Sequence, residues 1–479
     1  MTVPPPHRRL RDAPLVAPFV VLLKPLLRPV AVAARRAAGV LHRRLWRCSP
    51  RTVARTARWA ADVVRAVRRR RRETRLTVAV DVLALWEPLT GVGWYVYELL
   101  AAWAGRGDVV FRLYGLALVR APGIPEATVE LPRGPALDHV VYAVPDDLML
   151  GQRWLVPVVR FFEPWLVSLD GNDVVFAPNY ILPPPFRLTR APVVATVHDL
   201  SVRRVPWAVR PDTQAALVER LDRALFDARL VLADSAAVGR ELVELAGVEP
   251  STVRVVHLGP GQATGAGGET AAEAALPAGA PRRFGLFVGT LEPRKNVPGL
   301  LAAWRLLRLR LPAAPPLVLV GGYGWRAEGI RREVEAAAAE GWLHHFGYVA
   351  HGELLALYRR SAVVVLPSFY EGFGFPAVEA MRSAAPLVLA DLPVLREIGA
   401  DAALYAPPDR PDEIADRLAA VLGDPALAAD LAARGRRRGA DFDWRRTAQA
   451  TAAALAEAAG RRSDVRPSAA AAGPPWLTE

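Results

Sequence analysis

The sequence predicts an α/β protein: two doubly wound, parallel-sheet domains facing across a cleft, preceded by a basic N-terminal extension. Three observations lead there. Short apolar runs of the buried-strand type alternate with helix-period stretches, which implies parallel sheets covered on both faces. The alternation runs twice, and a Gly/Ala/Pro-rich stretch at residues 261–281 separates the two series. At 479 residues the chain is also too long for one ordinary core.

Composition narrows the function classes. Hydrophobic residues at 52% and charged residues at 23% describe a folded protein. The single cysteine, Cys48, excludes an internal disulfide framework and a cysteine-rich metal site, and favours a reducing compartment. The net charge of +13 is not spread evenly. Residues 1–75 hold 20 of the 61 Lys and Arg and only three acids (Asp12, Asp62, Glu73), so the extension carries +17 and the rest −4. A near-neutral body, with no aromatic platform beside the arginines, argues against a nucleic-acid partner.

Within the extension, "PLVAPFVVLLKPLLRPVAVAARRAAGVLHRRLW" mixes apolar stretches with Lys24, Arg28, Arg35 and Arg36. Its longest uncharged run, Ala13 to Leu23, is about half of the roughly 20 residues that span a bilayer, and Pro18, Pro25 and Pro29 break it as a helix. No small-residue cleavage site follows, so a signal peptide is not expected. Two readings stay open for residues 1–75: a peripheral arm for an anionic membrane surface, or a plain disordered basic start. The first would place a cytoplasmic protein on the inner face of the cell membrane.

In chain order, residues 76–260 form the first domain. "LTVAVDVLAL" reads as a strand, and "TGVGWYVYELLAAWA" as a glycine loop opening an apolar-periodic helix. "DVVFAP", "PVVATVHD" and "RLVLADS" are further buried strands, each ending in Pro, Asp or Ser. After the last, Ser235 is a natural helix N-cap and Gly247 a natural stop. "VRVVHLGP" leads into the linker at 261–281. The second domain, 282–445, repeats the scheme with "FGLFVGT", "PLVLVGG", "LHHFGYV", "AVVVLPS" and "PLVLA". A closing helix at 446–463 and a tail at 464–479 complete the chain. Ligands of such sheets bind at the carboxyl ends of strands, and the unusual residues cluster there.

Two motifs carry chemistry. In "GLFVGTLEPRKNVPGLLAAW" a strand ends at Gly289-Thr290, a turn presents Arg294 and Lys295, and a helix begins near Val297. Two cations beside a helix N-terminus make an anion site from side-chain charge and backbone dipole; a solvated basic turn is the alternative. In "PSFYEGFGFPAVEAM", residues 367–381, the strand delivers the chain to Glu371, and Gly372 and Gly374 let the backbone turn tightly and approach a ligand. Pro376 suits the first turn of the following helix. Glu371 and Glu379 read as acceptors for hydroxyl groups of two polyols joined by a charged link. The alternative is a loop acid and a helix-start acid with no ligand.

These residues resemble the retaining GT-B glycosyltransferases of family 4, in particular the mannosyltransferase-like branch of the group 1 glycosyltransferases. The spacing Glu371 to Glu379 matches that family's E-x7-E signature, and "FVGTLEPRKN" its phosphate turn. "TGVGWYVYELL", "VATVHDL", "ADS", "VRVVHLG", "GYV" and the late "FDW" follow in the family's order, over roughly residues 76–460. The resemblance implies two Rossmann-like domains and a hexosyltransferase that moves mannose from GDP-mannose onto a glycan or lipid-linked acceptor. It implies catalytic roles for His198 and Glu371, and diphosphate binding by Arg294, Lys295, Gly93 and Gly374. Phe373, Gly374 and Phe375 would contact the donor sugar, Glu379 the ribose and Val349 the base. Gly91 and Gly93 would let the first loop close. No metal or other cofactor is implied.

Three positions depart from the family's pattern: Thr290 stands where many relatives have Arg, Trp94 where many have Arg, and Ala385 where many have Gly. Arg294 then has to compensate for Thr290, and Trp94 bears on acceptor choice. "DFD" at 441–443 reads as packing and capping, and His344-His345 as a strand edge, so neither makes a metal site. The rival readings are another nucleotide-sugar enzyme of the same fold, such as an epimerase, and a non-catalytic membrane binder built on the extension.

Overall fold

The computed structural model describes residues 61–62, 64–85, 91–114, 131–140, 167–181, 189–261 and 275–461. Most of the basic extension, the body of the linker (262–274) and the tail lie outside them. Residues 64–70, at the end of the extension, are helical. They are tied to the first domain by Arg70, which is buried against Asp138 and Asp170 and whose carbonyl accepts from Arg112 Nη2 at 2.6 Å.

The first sheet holds β1 (Leu76–Asp81), β2 (Val109–Tyr114), β3 (Leu137–His139), β4 (Val174–Ala177), β5 (Val193–Val197), β6 (Ala228–Ala233) and β7 (Val253–Val255). Its pairs are parallel, in the order β3-β2-β1-β4-β5-β6-β7. The second holds β8 (Gly285–Val288), β9 (Leu317–Val320), β10 (Leu343–Phe346), β11 (Val363–Leu366), β12 (Leu387–Ala390) and β13 (Ala403–Ala406), again parallel, in the order β10-β9-β8-β11-β12-β13. Each order reverses beside its first strand, at β1/β4 and β8/β11, and such a switch point opens a crevice at the strand ends.

The main helices are α1 (Gly91–Trp103), α2 (Pro211–Asp227), α3 (Ala236–Ala246), α4 (Val297–Arg310), α5 (Glu328–Ala339), α6 (His351–Arg360), α7 (Phe375–Arg382), α8 (Pro393–Gly399), α9 (Pro411–Gly423), α10 (Pro425–Gly439) and α11 (Trp444–Ala458). Local chemistry sets their ends. Ser235 caps α3 by accepting from the Val238 amide, and Gly247 closes it in the left-handed conformation. Asp443 caps α11, while its neighbour Phe442 is buried, so the "DFD" stretch serves packing and capping. His344 and His345 lie on β10, at the edge of the second sheet.

Aromatic residues fix the layers. Trp103 stacks on Phe111 at 4.0 Å and donates from Nε1 to the Ala448 carbonyl at 2.9 Å, so α11 returns from the second domain to cover the first. Trp304 lies against Gly285, where a Cβ would overlap its ring. One apolar cluster runs through both domains, from Val78 and Phe176 to Leu366 and Leu389.

Candidate functional site

The site grows from the turn after β8. Asn296 adopts the left-handed conformation (φ 56°), and its Oδ1 accepts from the Gly299 amide to start α4. Its Nδ2 donates to the carbonyls of Pro367 (3.0 Å) and Pro408 (2.6 Å), which bolts the cationic turn to the segments after β11 and β13. The Phe369 amide donates to the Arg294 carbonyl at 2.8 Å and tightens the same joint. The two motifs singled out in the sequence thus become one structure.

At that joint Lys295 Nζ donates to both oxygens of Glu371, at 2.7 Å each, and Ser368 Oγ donates to Oε1 at 2.7 Å. Arg294 lies 3.8 Å from Glu371 and 2.6 Å from Glu292. Burial alone would raise the Glu371 pKa, but the charges of Lys295 and Arg294 and the hydrogen bonds hold it below the usual carboxylate value. Lys295 is also held below its ordinary value, by burial first, with Glu371 opposing and Arg294 adding to the effect. Lys295 is buried and Arg294 half-buried, and Glu371, Glu292 and Asp199 hold the two cations in place at the head of the glycine turn.

Gly374 (φ 102°) turns the chain into α7, with Pro376 in its first turn. Phe373 packs edge-on to Phe375 and Phe442. Glu379 sits one turn into α7, where Tyr358 Oη donates to it at 2.6 Å. Gly261, on the chain leaving the first domain, lies where a Cβ would overlap Glu379. Val349 follows the edge strand β10, half-buried against the core.

From the opposite domain, His198 follows β5. Its Nδ1 meets Asp234 at 2.7 Å and its Nε2 meets the Pro178 carbonyl at 2.9 Å. A carbonyl only accepts, so Nε2 carries a proton. Burial would lower the His198 pKa, but Asp234 outweighs it and holds the ring above its ordinary value. Both ring nitrogens are engaged, so Asp234 and the Pro178 carbonyl fix the orientation of the imidazole. Asp199 accepts from the amide (3.0 Å) and hydroxyl (2.7 Å) of Ser201. Its charge, with those of Glu292 and Glu371, raises the Arg294 pKa against the effect of burial.

The structure brings His198, Arg294, Lys295, Glu371 and the Phe373–Phe375 segment to one interdomain cleft. Two expectations change. Gly91 and Gly93 lie in the first turn of α1 and not in a loop, because the helix already starts at Gly91; the Phe375 ring is 3.9 Å from where a Cβ on Gly91 would stand. Gly372, expected to admit a ligand, instead admits the His198 carbonyl. Sequence reasoning missed Asp234, Asp199 and Tyr358. The strand-end triplet "ADS" was the signal for the first; Tyr358 lies on a helix whose sequence carries none. A cavity of about 190 Å³ between the domains is walled by Arg204, Glu241, Phe369, Tyr370, Glu371 and Pro393. Among the described residues no cluster of His, Cys, Asp and Glu could hold a metal ion, and no helix is long and apolar enough to cross a membrane.

Known families match the chain over both domains. Residues 270–438 match the family model for glycosyl transferases group 1, and residues 89–259 match that for glycosyltransferase family 4. The chain is 30% identical over 369 residues to the O-antigen chain mannosyltransferase B of Escherichia coli, covering 74% of this chain and 93% of the relative. It is 30% identical over 386 residues to a glycogen synthase of Mycobacterium tuberculosis, covering 76% and 90%. Among solved structures, sucrose-phosphate synthase from Thermosynechococcus elongatus superposes with a TM-score of 0.58 at 22% identity, covering 79% of this chain and 98% of that one. HepE of Anabaena, in complex with UDP and glucose, gives 0.55 at 18%, covering 80% and 99%. The chain belongs to the group 1, family 4 glycosyltransferases and is a hexosyltransferase with the GT-B fold.

Proposed function

We propose that the chain moves mannose from GDP-mannose onto a glycan or lipid-linked acceptor of a cell-surface polysaccharide, with retention at the anomeric carbon. The observation that carries this reading is the Lys295–Glu371–Arg294 cluster, with Lys295 and Glu371 buried, beneath the glycine turn. Mannose as the sugar rests on the O-antigen mannosyltransferase relative.

In this reading the donor diphosphate takes Lys295 and Arg294, and Glu371, released from Lys295, accepts hydroxyls of the donor sugar. The amides of Phe373, Gly374 and Phe375 and the N-terminus of α7 add partial positive charge. The bond from the anomeric carbon to the diphosphate oxygen breaks as the acceptor oxygen bonds that carbon on the same face. The departing diphosphate takes the acceptor proton. Fixed cations and dipoles stabilise the charge that develops on the leaving group, and we propose that no metal is needed. Glu379 holds the ribose and Val349 lies by the base. Residues 1–75 dock on the anionic inner face of the cell membrane, which flotation of full-length and truncated protein with anionic liposomes tests; equal binding by both removes that part.

The donor test is a thermal shift against GDP, UDP, ADP and dTDP, with Lys295→Ala alongside. A nucleotide at about 100 times its Kd adds about 2.7 kcal/mol, on the order of 2–4 °C per kcal/mol for domains of this size. A shift with GDP that the variant loses supports GDP-mannose. A shift with UDP alone overturns the choice of base, and no shift with any nucleotide overturns the donor site.

A further inference from the structure

Glu371 belongs to the second domain, yet both of its chain neighbours are held by the first. The Tyr370 hydroxyl donates to Glu241 Oε2 at 2.7 Å and accepts from the Leu200 amide at 2.8 Å. The Gly372 carbonyl accepts from Ser235 Oγ at 2.9 Å, and a Cβ at this position would overlap the His198 carbonyl. Both gripping side chains are sequestered, Tyr370 at 5% exposure and Ser235 at 0%.

The anchors are not independent of the site. Leu200 lies two residues beyond His198, and Ser235 directly follows Asp234, the partner of the His198 ring. The strand ends that set the imidazole therefore also set the segment bearing Glu371. The helix that supplies Glu241 is itself docked, because Glu397 of α8 accepts from the Ala236 amide (2.8 Å) and the Ala237 amide (3.1 Å). Lys295 grips the carboxylate of Glu371 from its own domain, but nothing in that grip fixes the backbone on either side of it.

We propose that Tyr370 and Ser235, with Glu241 as the acceptor for Tyr370, are positioning residues: they hold Glu371 from the opposite domain in the geometry that transfer requires. The inference rests on the reading of Glu371 as the group that holds the donor sugar. It follows that the strap acts on the transfer step more than on nucleotide affinity. The cationic turn and Glu379 keep their own supports when the strap is cut. Removing a buried hydrogen bond to a carboxylate costs on the order of tenfold or more in rate if that bond aligns the reacting group.

The test uses the full chain with Tyr370→Phe, Ser235→Ala and Glu241→Gln. Ser235→Ala also removes the cap of α3, so Tyr370→Phe is the cleaner variant; Glu241→Gln keeps an accepting oxygen. The readouts are kcat and KM with GDP-mannose, GDP affinity by calorimetry, and backbone hydrogen exchange of residues 367–375. The expected result for Tyr370→Phe is a kcat lower by roughly tenfold, GDP affinity within about twofold of wild type, faster exchange confined to 367–375, and near-wild-type behaviour for Glu241→Gln. Unchanged kcat and exchange in Tyr370→Phe would overturn the proposal, as would a parallel fall of GDP affinity and melting temperature. If wild type fails to turn over GDP-mannose, the choice of donor fails, and exchange at 367–375 still decides the strap: faster in Tyr370→Phe supports it, unchanged overturns it.

Discussion

The carbonyl oxygen of His198 occupies the place that a side chain on Gly372 would need. The two residues come from different domains, so the contact measures how closely the domains approach at the centre of the cleft. Gly372→Ala must separate the domains or displace the Glu371 segment, and a misplacement of about 1 Å costs on the order of a hundredfold in rate. We expect that loss with both domains still folded, and a larger radius of gyration by small-angle scattering. Wild-type turnover with unchanged scattering would falsify this account of the contact.

The Lys295–Glu371 pair is expected to matter more for binding than for stability. Its two ends are perturbed in opposing senses: the depressed pKa of Glu371 favours its charged form, and that of Lys295 disfavours its own. Replacing a buried pair by apolar residues is often neutral, whereas removing one partner costs about 3–5 kcal/mol. Urea unfolding should therefore show Lys295→Met/Glu371→Leu more stable than Lys295→Met alone, with nucleotide binding lost in both. A double variant as unstable as the single one would show that the pair itself stabilises the fold.

Acid and base should destabilise the protein through different groups. Glu397 accepts from two amides of α3 and from His257, and these hold its pKa below the ordinary 4.5 although burial opposes them. A depressed carboxylate contributes stability that is full above its unfolded pKa and is lost as pH falls through the folded one. Glu371 and Asp199 share that sign. His198 has the opposite sign: its contribution is full below about 6.5 and is lost as pH rises through the elevated folded value. Melting temperature followed from acid to alkaline pH should show both limbs. Glu397→Gln should flatten the acid limb, and Asp234→Asn the alkaline one. An acid limb identical in Glu397→Gln and wild type would remove Glu397 from the account.

Much of this site was legible because its motifs are local. The cationic turn at 294–295, the glycine turn at 372–374 and the helix acid Glu379 each lie within one strand–loop–helix unit, where period and capping chemistry speak directly. Gly91 and Gly93 misled, because two glycines before an apolar stretch read as a loop, while α1 already starts at Gly91 and buries Gly93. What stayed hidden is what the tertiary fold brings together: Asp234 beneath His198, Tyr358 against Glu379, Glu241 beneath Tyr370. Such pairs are separated by 36, 21 and 129 residues, and no local pattern encodes them.

Trp444, at the start of α11, joins parts that the sequence keeps far apart. Its Nε1 donates to the Pro260 carbonyl at 2.7 Å, its ring lies 6.1 Å from Tyr95 and 6.5 Å from Phe375, and Gly259 has no room for a Cβ beside it. Tyr95 in turn meets the His198 ring edge-on at 4.8 Å. The indole therefore wedges the crossing between the domains against both faces of the cleft. Trp444→Ala removes that wedge, and a large-to-small change at such a site costs about 3–5 kcal/mol. The loss should appear as one cooperative transition at lower denaturant, because α11 packs on β4, β5 and β6 of the first domain while the chain leaves the second. Two separated transitions in the variant, with the first domain unfolding alone, would instead mean that α11 adds to one core and couples nothing.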